Sequence, residues 1–269
     1  MLKTTRTLLA AAVVGATLMG TLQTASAAVT ATPGQFKVGM EITYPPFESY
    51  DGDKVVGSDP ELAEMLAKHM GLKTSFVNTK FSGLILGLNA GHFDAVISGM
   101  YVTPERAAQA MAIPYAQTGA AIMVPADSKE RPQKPEDLCG MKIGLEKGTT
   151  WVPKFEELSK TYCVPNGKGA ISVSEYPSAP EVTQALLSKN VHAQVEISGA
   201  AHMIAERSKG RVVVSSNELI YKQTLGMYVK KGNQELYDAL KTAFQQSKDS
   251  GEFAALLKKY ALEEAPATE

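Results

Sequence analysis

The sequence predicts an α/β fold, and three observations carry that expectation. Apolar, strand-like runs alternate with amphipathic helical stretches from residue 37 onward. The same alternation restarts after the proline-rich, charged stretch "PADSKERPQKPEDLCG" at 125–140, which argues for a second α/β unit. Beyond an N-terminal leader, roughly 240 residues remain, ample for one large or two small domains with a buried core.

Taken in order, "KVGM" (37–40) reads as a strand and "SDPELAEMLAKHMG" (58–71) as a helix. Ser58 or Asp59 is its expected cap and Pro60 stands in its first turn, while Leu62, Met65, Leu66 and His69 share one face and Gly71 stops it. "KTSFVNT" alternates as a strand, "FSGLILGLNAG" is helical despite its glycines, and "FDAVISG" returns as a buried strand. Strand and helix in alternation predict a parallel-type sheet. The second unit runs through strand "MKIGL", turn "EKGTT", helix "WVPKFEELSKTY", strand "ISVSEY", helix "PEVTQALLSKN" and strand "VHAQVEI". Late in the chain "GMYVKKG" is a strand, followed by the helices "NQELYDALKTAFQQSKDSG" and "EFAALLKKYAL", whose acidic starts and basic later turns suit the helix dipole. There is no repeat of solenoid period.

The leader itself is an address. Lys3 and Arg6 precede an apolar stretch of about a dozen residues and then Ala25-Ser26-Ala27, the small-x-small pattern of a secretory cleavage site, so 1–27 is expected to be a signal peptide. The apolar run is interrupted by Thr, Gly and Gln and is short for a membrane span. No cysteine stands at the cleavage point, so an exported protein without a lipid anchor is expected, most simply in a Gram-negative periplasm. With Lys3 and Arg6 removed, 25 basic residues against 28 acidic ones leave a charge of −3, which gives no electrostatic case for nucleic acid or anionic lipid as partner. Cys139 and Cys163 lie in the exported part and are expected to form a disulfide. Closing that loop of about 25 residues is worth roughly 3 to 4 kcal/mol in the chain-entropy model. Two cysteines without a nearby histidine make a poor zinc site, and His69, His92, His192 and His202 share no metal-ligand spacing. Neither a nucleophile elbow nor a phosphate loop occurs, and no cofactor is expected.

The stretch "SGMYVTPER" (98–106) places an arginine in a first helical turn if Thr103 caps and Pro104 opens the helix. A first turn prefers acids, so Arg106 has no helix-stabilising purpose there. Its planar fork can hold a carboxylate by two parallel hydrogen bonds, or it can pair on the surface with Glu105 or Asp94. "GTT" before the next predicted helix has the same ambiguity: Thr149 and Thr150 form either a helix cap or an anion-favouring helix start.

The order of "EITYPPFES", "DPELAEMLAKHMG", "FSGLILGLNAGHFDAVISGMYVTPER", "IPYAQTGAAIMV", "IGLEKGTT" and "GEFAALLKKYAL" resembles the periplasmic solute-binding proteins of amino-acid ABC transporters, extracellular family 3. The resemblance covers nearly all of the chain after the leader. It implies a two-lobed periplasmic binding protein fold (type II), with lobes of 35–123 plus 223–266 and of 124–222, joined by two crossing strands near "AIMV" and "LGMYV". It implies capture of one small polar ligand and delivery to an inner-membrane ABC permease by a protein expected to be a monomer.

Carried over residue by residue, the resemblance implies that Arg106 holds the ligand's carboxylate and that Thr150, with Thr149, shares it from the other lobe. Ser98 and Gly99 would offer a backbone carbonyl and N–H, glycine permitting close approach. Tyr44 and Phe81 match aromatic positions that bracket the ligand, and Trp151 follows Thr150 directly. Two departures stand out. Tyr101 occupies a position that is commonly a small hydroxyl-bearing residue, and Ile197 stands where relatives carry the aspartate that grips the α-ammonium. Glu196 could substitute if the strand end is bulged, and Glu41 could serve a ligand cation; otherwise the ammonium site is missing. A cationic amino acid or a derivative such as an opine is therefore the expected ligand. No enzymatic activity is expected; the alternative on the same scaffold is a cyclohexadienyl dehydratase-like enzyme using Glu196 or Glu41 as general acid. A receptor's sensing domain would need a membrane segment after "KKYALEEAPATE".

Overall fold

The computed structural model describes residues 29–266; the expected signal peptide lies outside the described residues. Strand β1 (Gln35–Met40) leads through a small antiparallel hairpin, β2 (Ser49–Asp51) and β3 (Lys54–Val56), into helix α1 (Ser58–Met70). Then come β4 (Lys73–Asn78), α2 (Leu84–Ala90), β5 (Ala95–Val96), α3 (Pro104–Ala107) and the long β6 (Ala110–Pro125). The second half continues with β7 (Lys142–Glu146), α4 (Trp151–Leu158), β8 (Ser172–Tyr176), α5 (Ala179–Leu187), β9 (Ala193–Ile197), α6 (Ser198–Arg207) and β10 (Val212–Val214). The long β11 (Ile220–Lys230), α7 (Gln234–Asp249), α8 (Glu252–Tyr260) and β12 (Glu263–Glu264) complete it.

Apart from the β2–β3 hairpin, the strands form one sheet in the order β4-β1-β5-β11-β6-β9-β7-β8, with β10 and β12 each pairing with β6 off that path. Each end is parallel as the alternation predicts: β1 pairs in parallel with β4 and β5, and β7 with β8 and β9. The middle is antiparallel and holds the two crossing strands. There β11 pairs antiparallel with β5 and β6, and β6 antiparallel with β9, because both long strands link one parallel group to the other rather than extending either. These strands contain "LGMYV" and "AIMV".

Helix α1 stops at Gly71, which takes the left-handed φ of 69° that a C-terminal glycine permits. Its start differs from the expectation. The capping position belongs to Gly57, at φ 136°, and neither Ser58 nor Asp59 caps; both lie buried inside the first turn. Leu62, Ala63, Leu66 and Ala67 face the core with Phe36, Val38 and Met40 of β1. In the second group Ile143, Leu145, Phe155 and Val195 are fully buried, and the expected Cys139–Cys163 disulfide ties the segment before β7 to the π-helical turn that ends α4. Among the described residues no helix is long and apolar enough to cross a membrane, and no His/Cys/Asp/Glu cluster is arranged to hold a metal.

Candidate functional site

Arg106 reaches its place by a short route. Thr103 is extended and its hydroxyl accepts from the Arg106 N–H at 3.2 Å, with Pro104 in the first helical position, as the sequence implies. Helix α3 is a single turn, so the expected dipole contribution is small and the guanidinium itself carries the positive charge. It lies over the Phe81 ring at 5.4 Å and donates through Nη1 to the Tyr101 carbonyl at 2.7 Å. That carbonyl also accepts from the Tyr228 hydroxyl at 2.6 Å, which anchors it. Through Nη2 the guanidinium reaches the second half of the molecule and donates to the Gly148 carbonyl at 3.0 Å.

Gly148 belongs to the turn that holds Thr149 and Thr150. The Thr149 hydroxyl donates to the Glu146 carbonyl at 2.8 Å, and the Thr150 hydroxyl accepts from Gln223 Nε2 at 3.3 Å. Thr150 holds the capping position of α4, but neither side chain makes a capping hydrogen bond there.

Between the halves lies an enclosed cavity of about 20 Å³, room for about one water molecule. From the first half Glu41, Tyr44, Phe81, Gly99, Tyr101 and Arg106 line it; from the second, Thr149, Thr150, Trp151 and Glu196. Tyr101 meets Trp151 edge to face at 6.0 Å, so the large residue at position 101 fills the cavity and narrows it. The cavity also takes in Ile197, at the position of the relatives' aspartate, and Glu48 and Glu146, which sequence reasoning did not place there.

The Ser98 hydroxyl donates to Glu48 Oε1 at 2.7 Å and accepts from the Glu41 N–H at 3.0 Å, whereas the contact expected of Ser98 is its backbone carbonyl. The expectation for the Gly99 N–H needs correction. Gly99, at φ 50°, does line the cavity, but its N–H is consumed by Asp59 Oδ2 at 2.6 Å and is not free for a guest. No bulge brings Glu196 into place either. Strand β9 pairs with β6 in regular register from Met123↔Gln194 to Ala120↔Ile197, and Glu196 and Ile197 both reach the cavity where the strand ends.

The acids dominate the electrostatics. Glu196 is fully buried and both oxygens are engaged, Oε2 by the Tyr44 hydroxyl at 2.8 Å and Oε1 by Gln194 Nε2 at 2.9 Å. Burial nevertheless pushes it up to about 7. Glu41 accepts from the Phe81 N–H at 2.8 Å, with Lys80 Nζ at 3.5 Å. Across the cavity Glu146 is 5% exposed and its Oε1 has no partner; burial first, then the adjoining Glu41 carboxyl, pushes it up to about 11. Behind this layer burial raises Glu48 well above the carboxylate range and raises Asp59 to about 6, although Asp59 also accepts from the Tyr115 hydroxyl at 3.0 Å.

A charge-lined cavity between two α/β halves joined by two long strands defines a two-lobed solute-binding protein. Residues 36–263 match the bacterial extracellular solute-binding proteins, family 3, and the chain belongs to that family. It is 30% identical over 230 residues to the L-cystine-binding protein TcyJ of Escherichia coli (strain K12), covering 84% of this chain and 82% of that one. It is 26% identical over 255 residues to the histidine-binding periplasmic protein of the same strain, covering 92% and 95%. A solved ancestral arginine-binding protein bound to arginine superposes with a TM-score of 0.77 at 31% identity, covering 84% of this chain and 98% of that one.

Proposed function

We propose that this chain is the periplasmic substrate-binding component of an ABC importer, capturing a basic amino acid, or a derivative such as an opine, by lobe closure and delivering it to a membrane permease. One observation carries the ligand class. Among the described residues, four buried side-chain polar atoms lack a hydrogen-bond partner, and all four belong to residues that line this same cavity: Glu48 Oε2, Glu146 Oε1, Tyr101 Oη and Trp151 Nε1. Unmet buried polar groups are costly, so a guest that satisfies them stabilises the closed form. Two of the four are oxygens of carboxyls that burial holds protonated, and a cation placed between them would let them ionise and would donate to them, while Arg106 and the indole N–H demand an acceptor. A zwitterion with additional positive charge meets both demands. The relatives that bind arginine and histidine agree with this class.

In this reading residues 35–123 plus 223–266 form one lobe and 124–222 the other, and the protein works as a monomer without catalysis. The cavity admits an amino acid only when the lobes part, and a guest touching both lobes holds them together. A thermal-shift screen of amino acids, opines, polyamines and small carboxylates tests the proposal. A true ligand at 100 times its Kd adds about 2.7 kcal/mol. Calorimetry should then show Arg106→Ala weakening that ligand about 100-fold or more, the loss of one or two charge-assisted hydrogen bonds. Wild-type affinity in Arg106→Ala, or turnover of prephenate or arogenate followed by absorbance, would overturn it.

A further inference from the structure

We propose that the ammonium-binding acid of this protein has moved from the end of β9 to the end of β7: Glu146, opposite Glu41, holds the α-ammonium that position 197 cannot hold. The proposal rests on the ligand class given above and names the residue that reads it.

Position 197 is closed to the task. Ile197 is apolar, 2% exposed, and its side chain packs toward the Gly99 turn, where a Cβ built on Gly99 would lie 3.5 Å from Ile197 Cδ1. The adjacent acid is also committed, since Glu196 already accepts from Tyr44 and Gln194. Glu41 has one oxygen on the Phe81 N–H and the other near Lys80. Glu48 is tied to Ser98 through Oε1 and keeps Oε2 without a partner, but it stands in the first half, away from the turn that carries Gly148 and Thr149. Glu146 alone combines burial, direct access to the cavity from the second half and an oxygen without a donor.

Its position on the chain identifies which end of the ligand it meets. Glu146 is the last residue of β7 and opens the same turn that carries Gly148, whose carbonyl meets Arg106, and Thr149, whose hydroxyl folds back on the Glu146 carbonyl. The acid therefore hangs beside the elements that face the ligand's carboxylate. In an α-amino acid the ammonium is bonded to the carbon that carries the carboxylate, so the group nearest Glu146 is the α-ammonium. Glu41 and Glu48 remain for the basic side chain. A buried ammonium needs such a counter-charge, because an unpaired one is strongly disfavoured.

The test is calorimetry with arginine, lysine and histidine, each beside the analogue that lacks only the α-amino group, on wild type, Glu146→Gln and Glu146→Gln/Ile197→Asp. Wild type should prefer the amino acid over its deaminated analogue by about 100-fold or more. Glu146→Gln should erase most of that preference by weakening the amino acid alone, leaving the analogue within about threefold. Adding Ile197→Asp should restore at least about tenfold of the lost affinity, which a merely misfolded Glu146→Gln protein could not do. Equal loss for amino acid and analogue would assign Glu146 to the side chain, and no loss would remove it from the site; either overturns the assignment. If wild type binds none of the three amino acids, the ligand class fails and the assignment with it.

Discussion

Gly148→Ala separates the strain of a turn from the closure of the lobes. Gly148 has a φ of 85°, and a Cβ there would lie 3.0 Å from the Cα and 3.1 Å from the Cβ of Ser82, in the other half of the molecule. The backbone cost, about 1–2 kcal/mol for a left-handed alanine, falls on folding whether the lobes are open or closed. The contact with Ser82 falls on the closed form alone. Relieving it requires the facing backbones to part by about half an ångström, since comfortable carbon contacts begin near 3.5 Å. A hydrogen bond such as Arg106 Nη2 to the Gly148 carbonyl, now 3.0 Å, then reaches the limit of useful geometry. Losing one charge-assisted bond, about 1.5–3 kcal/mol, lowers affinity about 10- to 150-fold. Gly167→Ala is the control, because Gly167 has a φ of 67° with nothing within 4 Å of its added Cβ. Both variants should lower Tm alike, and only Gly148→Ala should lose affinity in calorimetry. Equal affinity in the two would refute the approach of Gly148 to Ser82 in the ligand-bound protein.

Reducing the Cys139–Cys163 disulfide, which spans 24 residues, should cost about 3.5 kcal/mol of stability in denaturant titrations while leaving Kd within about twofold, because the bridge braces α4 and not the cavity; an unchanged midpoint would contradict this. Stability without ligand should fall as pH rises through about 4 to 6. Asp59, raised from 3.8 to about 6, keeps its proton in the folded chain after the unfolded chain has lost it, so stability fully present below 3.8 is lost by pH 6, about 3 kcal/mol in all. Thermal unfolding across pH 3.5 to 7 that rises or stays flat would contradict the buried acid pair. Glu48 is raised in the same direction, so Glu48→Gln should flatten the decline that continues above pH 6, and curves parallel to wild type would remove Glu48 from the account.

Much of the fold is legible in the sequence where one periodicity dominates. The buried faces of α1 and α7 and the apolar cores of β1 and β7 follow from spacing alone. The missed elements lack such a signal. Helix α6 buries only Ala200 and Ala201, so no apolar stripe marks it, and the β2–β3 hairpin is largely exposed. The site divides in the same way. Arg106, Tyr44 and Thr150 line the cavity at positions that the family resemblance, not local pattern, singles out, whereas Glu146 ends an apolar strand in the charged turn "EKG" and carries no such signal. The carboxyl that adjoins it, Glu41, comes from more than a hundred residues earlier in the chain. Asp59 reads as a helix cap for a related reason: the residues it serves, Gly99 and Tyr115, come from distant segments.

Those distant pairings bear on selectivity as well as on affinity. Two unit charges of like sign 4 Å apart, at an effective dielectric of 20, repel by about 4 kcal/mol, close to a thousandfold in an equilibrium. Bringing Glu41 against Glu146 as the lobes close therefore disfavours the closed form unless one carboxyl takes a proton or a cation lies between them. A guest with a carboxylate but no positive charge could engage Arg106 in the open form and still fail to close it. Attraction at Arg106 and repulsion between the acids thus act at different stages, the first on encounter and the second on closure. Because the repulsion acts only when the lobes meet, discrimination should be sharper in closure than in binding. A fluorophore reporting lobe distance should show deaminated analogues binding weakly without the distance change that basic amino acids produce. Full closure by an analogue lacking every ammonium and guanidinium group would mean that the carboxyl pair exerts no such control.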